Sequence, residues 1–293
     1  MKRLFIYIGG WLTHFSFVPE RIRDIIMWPI ATRVLGKNYK QNIFLKDGFY
    51  MWGGMDDILS REILFHGSWK KNLWEPSTCV ILEKLSRDAK EILIAGSHIG
   101  YMVLKSAYIT SGKIHTFEPV TKLYDLSIEN FNLNYSLKQK ILINKVALGD
   151  EERDLELYVE DIRSSAIPYS GGHVKNQNIE KVKQTNIDVY FEKQGIKKID
   201  LILLDIEGFE WFALNGAKKI LGGKPNLILE ISPRILKHTN ITPEMMFNHL
   251  LSMAYELHFI DDYQKKFLLV QDSQDARKHF LKRDYVNIYA KSR

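Results

Sequence analysis

Residues 91–119 read EILIAGSHIGYMVLKSAYITSGKIHTFEP. An apolar run (91–96) ends in glycine, a helical pattern fills 100–112, and a second apolar run (113–119) stops at Pro119. That strand–helix–strand order continues outward. Helical patterning covers 120–136 and a third apolar run covers 140–148. After 153 the pattern changes: 154–159 alternates like an edge strand, and 163–178 is polar and Gly-rich, which reads as a loop. The alternation returns with a helix at 187–195, a strand at 198–207, a helix at 208–223 and a strand at 226–232. A helix at 242–253 and strands at 255–261 and 284–292 complete it. Strands and helices of these lengths, in this order, form a parallel sheet with helices on both faces. Parallel neighbours need a long crossover. The last two strands are joined without a convincing crossover helix, so the final strand is expected to be antiparallel.

The expected architecture is therefore α/β and Rossmann-like. Residues 1–75 form a mainly helical extension, and 76–293 the sheet domain. The composition (45% hydrophobic, 26% charged) is that of a globular chain and excludes disorder. The single cysteine, Cys79, excludes an intrachain disulfide and suits a reducing, cytoplasmic setting. Charge is unevenly placed. Residues 1–40 hold seven Lys/Arg against two Asp/Glu, and residues 262–293 eight against four. The stretch between them is net acidic, which argues against a nucleic-acid groove across the core. Lys2 and Arg3 precede an apolar run from Leu4 to Val18, too short to span a bilayer and without a small-x-small cleavage pattern. A second apolar stretch, Ile25 to Leu35, is flanked by Arg21, Arg23, Arg33 and Lys37. Two readings stand for residues 1–40: helices that cover the sheet domain, or peripheral contact with a membrane.

In such sheets ligands bind beyond the carboxyl ends of the strands. The first strand ends in Gly96-Ser97-His98-Ile99-Gly100, where glycine lets the backbone approach a ligand and the next helix opens with free N–H groups. The spacing is not G-x-G-x-x-G, which counts against a nicotinamide or flavin dinucleotide. Glu118 lies 22 residues beyond Gly96, the placement of a carboxylate that accepts both ribose hydroxyls of an adenosine. Asp205 and Glu207 stand two apart at the end of the 198–207 strand. If the strand persists they share a face, and close like charges raise one carboxyl pKa, which suits a general base or a metal seat. Alternatively one of them caps the following helix. Glu230 ends the next strand and converges on the same edge. His173, in the Gly-rich loop, is a further candidate base. The histidines show no HxH or HExxH spacing, so a structural zinc site is not expected.

Several of these segments resemble the FkbM-type S-adenosylmethionine-dependent methyltransferases. They are GSHIGYMVL (96–104), TFEP (116–119), the helix with Asn130 and Asn134, VALGDEE (146–152), DLILLDIEGFEWFALNGAKKIL (200–221) and PNLILEIS (225–232). The resemblance implies a class I methyltransferase fold, S-adenosylmethionine as cofactor, and methylation of hydroxyl groups on macrolides, sugars or similar molecules. Gly96 and Gly100, with Ser97 and His98 between them, match the family's cofactor loop. Glu118 matches its ribose-binding acid, and Ala147 to Asp150 the segment near the adenine. Asp205, Glu207 and Gly208 match its Asp-x-Glu-Gly, and Glu230 its acidic strand end. Two positions depart from the pattern. Ile94 stands where the family often has Asp, and Leu203 where it often has Lys.

The sequence therefore points to an S-adenosylmethionine-dependent O-methyltransferase acting on a sugar, glycan, lipid or other small-molecule hydroxyl. Asp205 is the first choice of base, with Glu207 and His173 as alternatives. A divalent cation held by Asp205 and Glu230 would serve the same end by acidifying the hydroxyl. The rival reading, motivated by Ile94 and Leu203, is a non-catalytic protein of the same fold that binds S-adenosylmethionine or a nucleotide.

Overall fold

The computed structural model describes residues 2, 5, 6, 9, 10, 28–55, 57–159, 166–168, 178–236, 239–262, 264–270, 272, 275, 276, 280 and 285–292. The chain forms two compact units, Met1–Trp74 and Glu75–Arg293.

In the first unit, helix α1 (Trp28–Leu35) is followed by an antiparallel hairpin of β1 (Lys40–Phe44) and β2 (Tyr50–Gly54), then by helix α2 (Ile58–His66). The mainly helical expectation is thus incomplete. The hairpin strands are short, and YMWGG lacks the β-branched residues that announce a strand. Its inner face packs closely on α2: a Cβ on Gly53 would lie 2.7 Å from the backbone of Leu64. Asp57 opens α2 by accepting the Ser60 N–H at 2.8 Å. Among the described residues no helix is long and apolar enough to cross a membrane.

The second unit starts with α3 (Pro76–Ser86) and is built on an eight-stranded sheet. Its parallel part comprises β3 (Glu91–Ala95), β4 (Lys113–Phe117), β5 (Ile141–Asn144), β10 (Leu201–Leu204) and β11 (Asn226–Ile231). Beyond β11 come β14 (Val286–Lys291), β12 (Glu256–Asp261) and the edge strand β13 (Lys266–Leu269). The order is β13-β12-β14-β11-β10-β3-β4-β5, and β14 runs antiparallel to both neighbours, as the sequence led us to expect. The central strands are buried on both faces, so they read as unbroken apolar runs. One face, with Leu93, Ala95, Ile202 and Leu204, joins the main core with α7 (Ile187–Lys193), α8 (Glu210–Asn215), α9 (Lys218–Gly222) and α11 (Pro243–Ser252). On the other side α3 meets β11 and β12, while α4 (Tyr101–Ile109) meets β4 and the short helix α6 (Tyr135–Lys138); the one-turn helix α10 (Pro233–Leu236) follows β11.

Three sequence expectations change. The 140–148 run is two strands: β5 stays in the large sheet, and β6 (Ala147–Gly149) leaves it. β6 joins β7 (Arg153–Val159), β8 (Ala166–Pro168) and β9 (Asn178–Asn186) in a second sheet of order β6-β9-β7-β8. The expected 163–178 loop therefore contains β8 and ends at the first residue of β9, which carries mostly polar residues and gives little hydrophobic signal. The 208–223 helix is interrupted at Gly216-Ala217 into α8 and α9.

A buried polar chain fastens α7 to the sheet. Asn144 Nδ2 donates to Tyr190 Oη at 3.1 Å, and Tyr190 Oη lies 3.0 Å from His115 Nδ1. His115 Nε2 lies 2.9 Å from Glu91 Oε2. A neutral imidazole satisfies every partner: Nδ1 accepts from the phenol and Nε2–H donates to the carboxylate. Burial lowers the His115 pKa and favours that form. Tyr190→Phe removes the phenol and leaves His115 Nδ1 without its donor, at an expected cost of about 1–3 kcal/mol in urea unfolding. Unchanged stability would show that the chain contributes nothing.

Candidate functional site

The carboxyl ends of β3, β4, β10 and β11 meet the start of β14 and the start of α3 at one edge of the sheet. β3 gives way to a turn in which Gly96 (φ +80), His98 (φ +49) and Gly100 (φ +91) are left-handed. Gly96 is obligatory: a Cβ there would lie 1.7 Å from the Asp205 carbonyl oxygen. The amides of Gly96 and Ser97 donate to Phe117 O at 3.0 and 3.3 Å. The turn is then held by α5 (Thr121–Asn132). Ser127 Oγ donates to His98 O at 2.6 Å, and Asn130 Nδ2 to Ile99 O at 2.8 Å.

Glu118 follows directly on β4 and is only 4% exposed. Its Oε2 accepts the His98 N–H at 3.0 Å and its Oε1 the Val120 N–H at 3.1 Å. One carboxylate thus clamps the glycine turn to the start of α5. Each oxygen keeps a second lone pair, so accepting two ribose hydroxyls does not require breaking the clamp. Burial pushes the Glu118 pKa up to about 7.

β10 stops at Leu204, not at Glu207. Glu207 (φ +53) and Gly208 (φ +94) turn the chain, so the two acids do not share a strand face as expected. Nor does Asp205 or Glu207 make the cap. The helix that opens at Glu210 has no side-chain cap; Glu210 instead braces the turn before it, its Oε1 accepting the N–H groups of Ile206 (3.0 Å) and Gly208 (3.2 Å). Its Oε2 is buried and without a hydrogen-bond partner among the described residues. The reach from residue 210 back to residue 206 is local, within the Asp-Ile-Glu-Gly-Phe-Glu stretch.

Among the described residues, the charges that act on Asp205 are acidic. Burial raises its pKa well above the ordinary value, and the charges of Glu75, Glu207, Glu210 and Glu118 raise it further. Glu230 is raised by burial and by Asp205, Glu75, Glu207 and Glu210. Glu75 has no local sequence signal. It is the left-handed residue (φ +44) before Pro76, and α3 brings it in from far along the chain. Burial, opposed by a hydrogen bond from Asn287, sets its pKa at about 7. Asn287 is the register partner of Glu230 across β14 and β11. Among the described residues no group of three or more His, Cys, Asp or Glu side chains is placed to hold a metal ion.

Ala147 and Asp150 belong to β6 and the turn after it. Ala147 pairs with Gln184, and Asp150 is exposed near Gly216. Ala147 lies three residues past the end of β5, within about 11 Å of that strand end. His173 lies outside the described residues.

The sequence matches the methyltransferase FkbM domain over residues 95–266, more than half of the chain. The chain belongs to the FkbM methyltransferase family. Its fold is the class I methyltransferase fold, and the family's methyl donor is S-adenosylmethionine. No curated protein matches in sequence. Among solved structures it is similar to the methyltransferase FkbM of Methylobacillus flagellatus, at 16% identity and a TM-score of 0.44. That match covers 69% of this chain and 44% of that one, so this chain spans less than half of that protein's length. An O-methyltransferase of Bacillus cereus in complex with SAH matches at 15% identity and a TM-score of 0.39, covering 74% and 79% of the two chains. The precorrin-6y C5,15-methyltransferase of Geobacter metallireducens matches at 10% identity and a TM-score of 0.40, covering 76% and 93%.

The two departures from the family pattern are neighbours. Leu203 on β10 is the register partner of Ile94 on β3, and they are 4% and 0% exposed. With both partnered positions apolar, no buried charge is left unmatched. Each of Ile94→Asp and Leu203→Lys alone is expected to cost about 3–5 kcal/mol, and the double variant less than their sum. Strict additivity in denaturant melts would show that the two positions are independent.

Glu118 and Glu210 carry a sign that can be checked. Their folded pKa of about 7 exceeds the ordinary 4.5. The folded state therefore holds protons that the unfolded chain has lost, and stability falls as pH rises from about 4.5 to about 7, then levels off. Glu210→Gln imitates the protonated acid and keeps the Oε1 acceptor. It is expected to raise the melting temperature at about pH 8 and to leave it little changed at about pH 5. A gain of equal size at both pH values would refute the buried-charge account.

Proposed function

We propose that this chain transfers a methyl group from S-adenosylmethionine to a hydroxyl of a sugar, glycan, lipid or other small molecule. The observation that carries the reading is the group of carboxylates around Asp205, raised in proton affinity by burial and by one another. An alcohol attacks a methyl group well only as its proton leaves, and a carboxylate of raised proton affinity is suited to take it. When bound, S-adenosylmethionine supplies a methyl group made electrophilic by its sulfonium charge. The chemistry of the surrounding residues fits such a group, because Asp205, Glu207, Glu75 and Glu230 are anionic when ionised and favour a cation at this edge.

Glu118 is assigned to the ribose hydroxyls and the Gly96–Gly100 turn to the donor's amino-acid end. Asp205 is assigned as the base, with Glu207 as the alternative from the same turn. Glu210 and Glu75 hold the site's backbone and its field, and are not assigned to the reacting atoms. The apolar Ile94–Leu203 pair supports a second reading, in which the chain binds the cofactor without turnover.

Calorimetric titration with S-adenosylmethionine and S-adenosylhomocysteine separates these readings. Glu118→Ala should weaken both ligands by about ten- to hundredfold, the value of hydrogen bonds to a charged acceptor. Asp205→Asn should keep cofactor binding and lower turnover on a hydroxylated acceptor by about 10²–10⁴. Full turnover in Asp205→Asn would remove the base assignment. Cofactor binding with no transfer to glycans, lipids or small alcohols would favour the non-catalytic reading.

A further inference from the structure

We propose that the outer face of the β1–β2 hairpin docks the Met1–Trp74 unit on an anionic lipid bilayer. The hairpin has two unlike faces. Met51 and Gly53 turn inward and are buried. Outward, the register sets Phe44 opposite Tyr50, Asn42 opposite Trp52 and Lys40 opposite Gly54. Phe44 is 53% exposed and Tyr50 43%, and their rings meet at 4.8 Å. Lys40 Nζ sits 5.0 Å from the centroid of the Trp52 ring. Two large apolar rings held in solvent beside a tryptophan and a lysine make a surface for the headgroup layer. There aromatic bodies sit at the interface and ammonium groups reach the phosphates.

The charge of the unit selects the kind of membrane. Residues 1–74 hold eleven Lys/Arg against six Asp/Glu, five of the six net positive charges of the whole chain. Every exposed charged side chain among the described residues of this unit is basic, Lys46 in the hairpin turn included. Asp47 and Asp57 are buried, and the half-buried Glu62 bonds His66. Helix α1 repeats the combination: Ile30 and Val34, four residues apart, are exposed, as are Arg33 beside them and Lys37 just past the helix. Aliphatic side chains gain little from a nucleobase or a sugar ring but partition into lipid, which favours a bilayer over a single-stranded nucleic acid.

This proposal does not rest on the methyl-transfer reading. Its test is flotation of the full chain with phosphatidylcholine vesicles, with and without phosphatidylserine. Association with the phosphatidylserine vesicles is expected, with little on phosphatidylcholine alone, and added salt should weaken it. Neutralising Lys40→Gln and Lys46→Gln together should weaken it about twenty-fivefold, roughly fivefold per charge. Phe44→Ser with Tyr50→Ser, both solvent-facing, should weaken it by about tenfold or more with the circular dichroism spectrum unchanged. Equal binding to both vesicle types, binding that neither double variant alters, or capture of an oligonucleotide with no vesicle binding would each overturn the proposal.

Discussion

The carbonyl oxygen of Asp205 occupies the place where a side chain on residue 96 would have to go. This close approach of two neighbouring strand ends organises the whole edge of the sheet. It forces Gly96 into a left-handed turn, and that turn sends the His98 amide toward Glu118. Glu118 in turn fixes the entry to α5, whose Ser127 and Asn130 hold the same loop from behind. The turn, the clamp and the orientation of Asp205 are therefore one structure. A change at any of the three positions reaches the others through hydrogen bonds between side chains and backbone.

The edge is also electrostatically unusual. Carboxylates are brought together where water reaches some of them only in part and others hardly at all, and backbone amides satisfy only some of their oxygens. Glu118 and Glu210 accept N–H groups, and that hydrogen bonding limits but does not cancel the cost of burial. In relatives with lysine two residues before the aspartate, a cation would stand on that strand. Here Leu203 packs beside Ile94 instead. The acidic edge then has fewer local means of neutralisation, and proton uptake or a cationic ligand becomes the natural counterweight.

Much of this was legible in the sequence. The apolar runs EILIA, KIHTF and NLILEI gave the central strands because both of their faces are buried. The antiparallel β14 followed from the absence of a crossover. Gly96, Glu118, Asp205 and Glu230 were found from their places at strand ends. What escaped lacked a hydrophobic signature or a local one. β9 is mostly polar, and the β1–β2 hairpin is short, with Gly53-Gly54 at its end. Glu207 was misread because an apolar-to-acidic run looks like a continuing strand, and only the left-handed pair Glu207-Gly208 ends it. Glu75 could not be found at all from spacing, since it reaches Asp205 and Glu230 through tertiary structure.

β14 lies between β11 and β12, although it follows both in sequence. Its neighbourhood also secures the far end of the unit. Asp262 accepts the Ser77 and Thr78 amides that open α3, and Asn287 donates to Thr78. Until residues 286–291 have been made, the sheet is divided between β12 and β11, and these two apolar strands have unpaired edges. Assembly of the unit is therefore gated by its most distant contacts. A nascent or truncated chain would meet the cell with an open seam, which makes this strand the point where folding competes most directly with aggregation.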